Sequence, residues 1–377
     1  MKSLFRSKLV KLPTFLFSLF ASASAFAEIE PRLIEIQSGQ KVWMTEAEIS
    51  ALSDRTHREG RCGGYMDVTD YPELPELFLQ PIAGLGNLEI QENRAVEAAL
   101  SVLSADRLRA DVQKLSSFHN RYYQSEQGEA AALWIRDQFQ ALGRHRNDIQ
   151  VELYRHSGWR QPSVIATIRG AGPNAAETVV LGAHLDSIAA MWGFPNPNAK
   201  APGADDDASG IATLLETYRS LMETGFRPDR SIAFIGYAAE ERGLLGSQEI
   251  SRAWRQQGKQ VRGVLQLDMT MFPGTTRAIT FVTDHVNPEL TRFSAQLVDT
   301  YVKAPWRETR CGYACSDHAS WTKLGYAAAF PFEATFDGSN QAIHTDRDLI
   351  GLLDMEHGLH FAKLGAAFAI EMANEAP

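Results

Sequence analysis

Long apolar runs are missing from most of this chain. After residue 27 no segment reaches the ~20 apolar residues needed to cross a bilayer, which argues against a membrane-spanning protein. Basic charge is also short. The 37 Lys and Arg are outnumbered by 46 Asp and Glu, for a net charge of −9. No basic run or basic-aromatic interleaving appears after the first dozen residues, so nucleic acid is not an expected partner. There is no internal repeat and no low-complexity tract. Three catalytic signatures are absent as well: His-Glu-x-x-His, Gly-x-Ser-x-Gly and the Gly-Lys-Ser/Thr phosphate loop. Cysteine is scarce, at three residues.

What is present is an ordinary globular composition. The chain has 377 residues, 44% hydrophobic and 22% charged, enough for a large core. Residues 1–27 read as a secretory signal. Lys2, Arg6, Lys8 and Lys11 precede an apolar stretch from Phe15 to Phe26, and Ala25-Phe26-Ala27 fits the small-x-small cleavage rule. The protein is therefore expected to be secreted or periplasmic, without stable membrane association once the signal is removed. Residues 28–88 are polar, with a Gly-rich turn at Arg61-Cys62-Gly63-Gly64 and Pro72, Pro75 and Pro81. They read as a pro-segment, or else as a small extension that stays attached. The main domain is expected over 89–377.

Within that domain helices are expected over 95–117, 126–142, 208–222, 244–257, 288–303 and 357–373. Strands are expected over 178–183, 231–237, 264–267, 278–282 and 327–330. Continuous apolar strands alternating with helices predict an α/β fold with a mostly parallel, mixed central sheet covered by helices on both faces. Ligands in such folds bind beyond the carboxyl ends of the strands.

The stretch Pro202 to Gly210 holds three adjacent acids, Asp205, Asp206 and Asp207, ahead of a helix. One Asp suffices to cap a helix. Three repel one another unless a cation sits among them, and the helix N-terminus adds its own positive end. His184 and Asp186 follow the first strand, Glu240 and Glu241 the second, Asp268 ends the third and His344 lies after the last. Singly each is an unremarkable loop residue. Together they are a convergent set of imidazole and carboxylate groups at one sheet edge, which suits zinc, in a number that suits two ions sharing a carboxylate. His184 and Asp186 are two apart on an extended chain and point the same way, so Asp186 can hold the second nitrogen of a metal-bound His184. Glu240 and Glu241 are adjacent and point differently, so one can bind metal while the other acts as a base.

Five motifs carry a resemblance: Gly182 to Ser187, Pro202 to Gly210, Tyr237-Ala238-Ala239-Glu240-Glu241, Gln266-Leu267-Asp268-Met269, and Cys311 to His318. In this order they resemble bacterial leucyl aminopeptidase, of the secreted two-zinc metallo-aminopeptidases, over residues 95–375. The resemblance implies two zinc ions per chain, one held by His184 and Asp268 and the other by Glu241 and His344, with Asp206 bridging. It implies a cis peptide between Asp206 and Asp207, Glu240 as general base and Asp186 supporting the metal site. Tyr313 would donate a hydrogen bond to the oxyanion. Met269, Tyr313, Phe330, Phe332, Phe336 and Ile343 would form an apolar pocket for leucine and other large apolar N-terminal side chains. Phe330 is bulkier than the Met expected there, and the loop 189–200, with Trp192 and Phe194, is longer than usual, so both reshape the rim.

Cys311 and Cys315 resemble the family's short disulfide. The other use for two such cysteines, metal ligation, lacks further thiolates nearby, and an oxidising compartment favours the disulfide. Cys62 would leave with the pro-segment. The substrate would be a peptide or protein N-terminus, and the enzyme a monomer. The rival readings are a same-fold single-zinc glutaminyl cyclase, a carboxypeptidase, and a binding ectodomain without metals, which the filled ligand positions disfavour. His357 and His360 read as structural on an amphipathic helix. Ser316-Asp317-His318 are adjacent, and adjacent residues seldom assemble a triad.

Overall fold

The computed structural model describes residues 30–58, 63–75, 78, 85, 88–91, 94–191 and 194–374. The signal expected over 1–27, Cys62 and Trp192 lie outside these residues. The chain opens with β1 (Arg32–Gln37), β2 (Gln40–Met44), α1 (Glu46–Arg58) and β3 (Met66–Asp67). Three helices follow, α2 (Arg94–Ser101), α3 (Ala105–Ser116) and α4 (Glu126–Gly143). Then come β4 (Ile149–Tyr154), β5 (Ser163–Ile168), β6 (Glu177–His184), the short β7 (Ala190–Met191) and β8 (Phe194–Pro195), α5 (Ala208–Glu223) and β9 (Ser231–Tyr237). The last part runs α6 (Leu245–Gln256), β10 (Gln260–Gln266), β11 (Ile279–Val282), α7 (Pro288–Leu297), β12 (Trp306–Thr309), α8 (His318–Lys323), β13 (Ala328–Ala329), β14 (Pro331–Phe332) and α9 (Met355–Ala373). Residues 31–377 form one compact unit.

The central sheet has the order β13-β10-β6-β9-β5-β4. Its four strands β13, β10, β6 and β9 are parallel, and β5 and β4 are antiparallel additions at one edge. Alternation along each strand sorts the side chains between two cores. Val179, Leu181, Ala183, Ile232, Phe234 and Leu265 join the helices α3, α4, α5 and α9 on one face. Val180, Ala233, Ile235, Tyr237 and Val264 face α6 and α8, through Ile250, Trp254 and Trp321, on the other. Both faces are dry, which explains why these strands read as unbroken apolar runs.

The order of β6 and β9 also fixes where a site can form. The chain runs from β6 through α5 to β9 on one side, then crosses back through α6 to β10 on the other side of β6. The loops after β6 and β10 therefore part in opposite directions, which opens a crevice at their carboxyl ends.

Several expectations shift. The helix expected over 95–117 is two, because Ser104 leaves the helical conformation and its hydroxyl accepts the Arg107 amide to start α3. The strand expected over 278–282 is β11, but it lies outside the central sheet, in a separate sheet of order β12-β11-β14. The strand expected over 327–330 divides between the two sheets, as β13 and β14, around Phe330. β4 and β5 were not expected. The polar stretch 28–88 carries its own small sheet, β2-β1-β3, whose Leu33, Met66 and Val68 pack on Leu244, Ala314 and Ala319. Among the described residues no helix is long and apolar enough to cross a membrane.

Candidate active site

His184 is the last residue of β6, and three short loops converge on it. The first is its own continuation, held by the Leu185 amide donating to the Tyr237 carbonyl at 2.8 Å. The second is the acidic loop 202–207. Gly203 turns this loop with φ +50°, and a Cβ there would lie 2.4 Å from the Asp206 carbonyl and 2.6 Å from Ser187 Cβ, so only glycine fits. The buried Arg121 ties the two loops together. It donates to the carbonyls of Leu185 at 3.0 Å, Pro202 at 2.6 Å and Gly203 at 2.9 Å. The third loop brings His344, at φ +54°, and Asp348. Asp348 accepts the backbone amides of Asp205 at 3.2 Å and Asp206 at 3.1 Å.

The three acids of the loop separate in role. The peptide between Asp206 and Asp207 is cis. Asp207 is a structural cap: its carboxylate accepts the amides of Gly210 at 2.8 Å, His184 at 3.1 Å and Met269 at 3.1 Å. Asp205 turns away toward Asn340, which donates to it at 3.1 Å, and burial followed by the nearby Asp348 charge lifts its carboxyl to about 8. Asp206 faces the histidines. His184 Nε2 lies 2.9 Å from one of its oxygens and His344 Nε2 lies 2.9 Å from the other. Burial would raise its pKa, but these two contacts override that and hold the carboxyl below the usual range.

Around this carboxylate the remaining groups close in. Asp268 approaches His184 Nε2 to 3.6 Å, and Glu241 approaches His344 Nε2 to 2.7 Å. Asp186 Oδ1 sits 3.4 Å from His184 Nδ1, and its two oxygens accept the amides of Glu240 at 3.1 Å and Glu241 at 3.2 Å. One carboxylate thus orients a histidine and the Glu240-Glu241 turn together. Burial, reinforced by Glu241 and Asp268 and opposed by His184, pushes the Glu240 carboxyl well above its ordinary value. Burial likewise lifts Glu241 to about 7 against the pull of His344.

The donor set fits a pair of metal ions. By distance alone, His184, Asp207 and Asp268 form one ligand cluster and Asp206, Glu241 and His344 another, each with its ligand atoms within 4.8 Å of one another. Asp207 is the weaker member of the first, since its oxygens already serve three amides. Asp206, with one oxygen toward each histidine, has the arrangement of a bridging ligand. Glu241 Oε1 is buried with no hydrogen-bond partner among the described residues, a costly state that a cation would relieve. Two imidazoles with three carboxylates, from Asp206, Glu241 and Asp268, are a mixed nitrogen and oxygen set of the kind zinc takes.

An apolar cluster adjoins these groups through the chain itself. Met269 follows Asp268 and Ile343 precedes His344, and both pack with Val282, Cys311, Tyr313, Cys315, Phe330, Phe332 and Phe336. Phe332 and Phe336 stack at 4.8 Å between ring centres. Cys311 and Cys315 form a disulfide that closes the loop carrying the buried Tyr313. All the pocket residues expected from the sequence are in this one cluster.

Sequence reasoning missed several supporting groups. Ser316 donates to Asp268 at 2.6 Å, and Arg121, Asn340 and Asp348 brace the acidic loop. Ser316 lies in the Cys311 to His318 motif without a role read for it there, and the other three belong to no spaced motif. Asp348 could have been flagged only as an acid four residues past His344. The adjacent Ser316, Asp317 and His318 form no triad, since Ser316 serves Asp268 and His318 packs its ring on Phe330 at 4.7 Å. His357 is structural and donates to the Glu333 carbonyl at 3.0 Å.

A mixed sheet with a buried histidine-carboxylate cluster at its switch point, beside a buried apolar cluster, is an arrangement that suits a metal-dependent hydrolase. The family model of peptidase family M28 matches residues 163–369, and this chain belongs to that family and is a peptide hydrolase. Leucine aminopeptidase 1 of Arthroderma otae is 37% identical over 370 residues, covering 94% of this chain and 95% of that protein. Among solved structures, LapB from Legionella pneumophila is 31% identical with a TM-score of 0.78, covering 91% of this chain and 95% of that one. The LapA aminopeptidase of the same organism is 29% identical with a TM-score of 0.79, covering 93% and 95%. The resemblance read from the sequence therefore holds at the level of the family, while its bacterial label does not: the leading sequence relatives are fungal.

Proposed function

We propose that this protein is an exported, zinc-dependent aminopeptidase that removes leucine and other large apolar residues from peptide N-termini. The observation that carries this reading is the convergence of His184 and His344 on the two oxygens of Asp206, with Glu240 beside them. In it His184 and Asp268 would hold one zinc and Glu241 and His344 the other, with Asp206 shared between the two sites. Zinc ions bound there would acidify a water and polarise the scissile carbonyl. Glu240 would take a proton from the attacking water and pass it to the leaving amine; burial raises its carboxyl above the ordinary value, which favours uptake of that proton. Asp186 keeps His184 and the Glu240 amide in place. The Tyr313 phenol donates to the oxygen on which charge develops. The free amino terminus lies against the acids, and the first side chain enters the pocket of Met269, Phe330, Phe332, Phe336 and Ile343.

Residues 1–27 act as the export signal and 28–88 as a pro-segment, and the enzyme works as a monomer. The test is hydrolysis of a panel of aminoacyl anilides, with N-blocked leucine and glutamine-started peptides as comparisons, together with zinc analysis of the purified protein. Leucine anilide should be cleaved, the blocked substrate should not, and chelation should abolish turnover until zinc is returned. Cyclisation of glutamine-started peptides with one zinc per chain would replace this reading with a glutaminyl cyclase.

A further inference from the structure

A buried relay ends on the turn that carries Glu240. Ser163 opens β5, one residue before the ladder in which Val164 faces Gly236 of β9. At that point β9 ends and its next residue, Ala238, has no opposite strand carbonyl. The Ala238 amide donates to Ser163 Oγ at 2.9 Å. Ser163 Oγ in turn lies 2.8 Å from His156 Nε2, and His156 Nδ1 lies 2.7 Å from Glu249 Oε2 on α6. An amide can only donate and a carboxylate can only accept, so Nδ1–H donates to Glu249 and Ser163 Oγ accepts from Ala238; with a neutral imidazole the Ser163 hydroxyl then donates to Nε2.

The order serine, histidine, carboxylate is that of a nucleophile triad. Ser163 cannot serve as one: it has no exposed surface for a substrate to reach, and its oxygen accepts the Ala238 amide. What the relay does reach is Ala239, at φ +57°, and then Glu240. The other bonds of this turn are short-range. Gly246 donates to Ala238 and Leu245 to Ala239, each at 3.1 Å. Asp186 holds the turn from the metal side, and Ser163 holds it from the opposite side.

We propose that Glu249, His156 and Ser163 are positioning residues that set the approach of the Glu240 carboxylate, acting through the Ala238 amide. His156 is fixed for this by its stack on Trp159, at 4.5 Å and 19°. Glu249 and Trp159 line a cleft of about 510 Å³ that also includes Arg242, so the relay runs from the protein's rim to its catalytic turn. The inference rests on Glu240 being the base.

The test compares Ser163→Ala with the wild-type protein. Removing the hydroxyl leaves a buried donor without its acceptor, and a misplacement on the order of 1 Å is enough to cost up to ~10²-fold in rate. Zinc content should be unchanged, KM should stay within about twofold, and kcat should fall on the order of tenfold. Hydrogen exchange of the Ala238 amide should quicken. Adding His156→Gln should cost nothing further, because a relay broken once is broken. Should Ser163→Ala not fold, Glu249 at the rim decides. Glu249→Ala should lower kcat without changing KM, and Glu249→Gln, which keeps an oxygen acceptor, should recover most of the loss. Wild-type kcat in Ser163→Ala, additive losses in the double variant, or equal kcat for the two Glu249 variants would overturn the proposal. Glu240→Ala is measured alongside. Normal turnover there overturns the assignment of the base, whereas its loss with Ser163→Ala fully active overturns the relay alone.

Discussion

Asp206 faces two imidazoles at once, one on each oxygen, and no neighbouring side chain can take over that position. Asp206→Ala should therefore lose both zinc ions rather than one. Metal analysis after gel filtration reads this directly, and two retained ions would remove Asp206 as the bridge. In the proposed mechanism Glu240 is the contrasting case, a base beside a ligand. Glu240→Ala should keep both ions and its fold, while kcat falls by about 10²–10⁴ with a much smaller change in KM. Glu241→Ala should lose zinc as well as activity. Near-normal turnover in Glu240→Ala would mean that another group takes the proton.

At the scale of elements, Asp207 joins three of them. Its carboxylate caps α5 through Gly210, and it also holds the ends of β6 and β10 through the His184 and Met269 amides. Asp207→Ala leaves three buried donors unpaired, each costing roughly 1–3 kcal/mol. Stability should fall by at least about 2 kcal/mol, a larger loss than removing an ordinary helix cap. Chemical denaturation of the metal-free protein measures it without interference from zinc. A loss under about 0.5 kcal/mol would mean that water replaces the carboxylate. The N-terminal elements are a different case. Among the described residues before 88, the two main cores take Phe78 and Leu85, with Leu74 packed against the second. Cleavage near that point should leave a folded domain that keeps both metals and at least the turnover of the uncut chain. Limited proteolysis followed by mass spectrometry and anilide assay checks this, and loss of cooperative unfolding or of turnover in the cut protein would mark the segment as integral. The Glu46–Arg242 ion pair is the contact most directly at stake, since Arg242 follows Glu241.

For the whole molecule, buried histidines couple stability to pH. Burial, opposed by the bond to the Glu333 carbonyl, lowers His357 to about 4. Burial with His285 nearby lowers His318 to about 3. Both stay neutral in the fold, whereas in the unfolded chain they take a proton near 6.5. Their contribution is therefore fully present above about 6.5 and is lost as pH falls from there toward 4. His357→Gln removes one such group, so its stability should depend less steeply on pH across that window, by up to about 1.4 kcal/mol per pH unit. Urea unfolding midpoints at pH 7 and pH 5 make the comparison. Equal slopes for the two proteins would show that His357 is already protonated in the fold.

Sequence alone determined the alternation of strands and helices, because strands buried on both faces must be apolar along their whole length. It also located the candidate ligands, since a histidine or acid at the end of such a strand has one place to be, the sheet's carboxyl edge. The Asp205-Asp206-Asp207 run marked the loop between them. What only the tertiary structure decided is how those three acids divide. Which carboxylate meets the histidines depends on Gly203 within the loop and on Arg121 and Asp348, which act from far along the chain and carry no local pattern. The same holds for β4, whose half-exposed edge positions blur the apolar signal, and for β5, which is buried but whose apolar run is broken by Ser163 and Thr167. It holds also for β11, which reads as a core strand but pairs with β12 and β14 instead. Periodicity reports how much of a segment is buried. It carries no information about which neighbour does the burying, because that choice is made by contacts between residues distant in sequence.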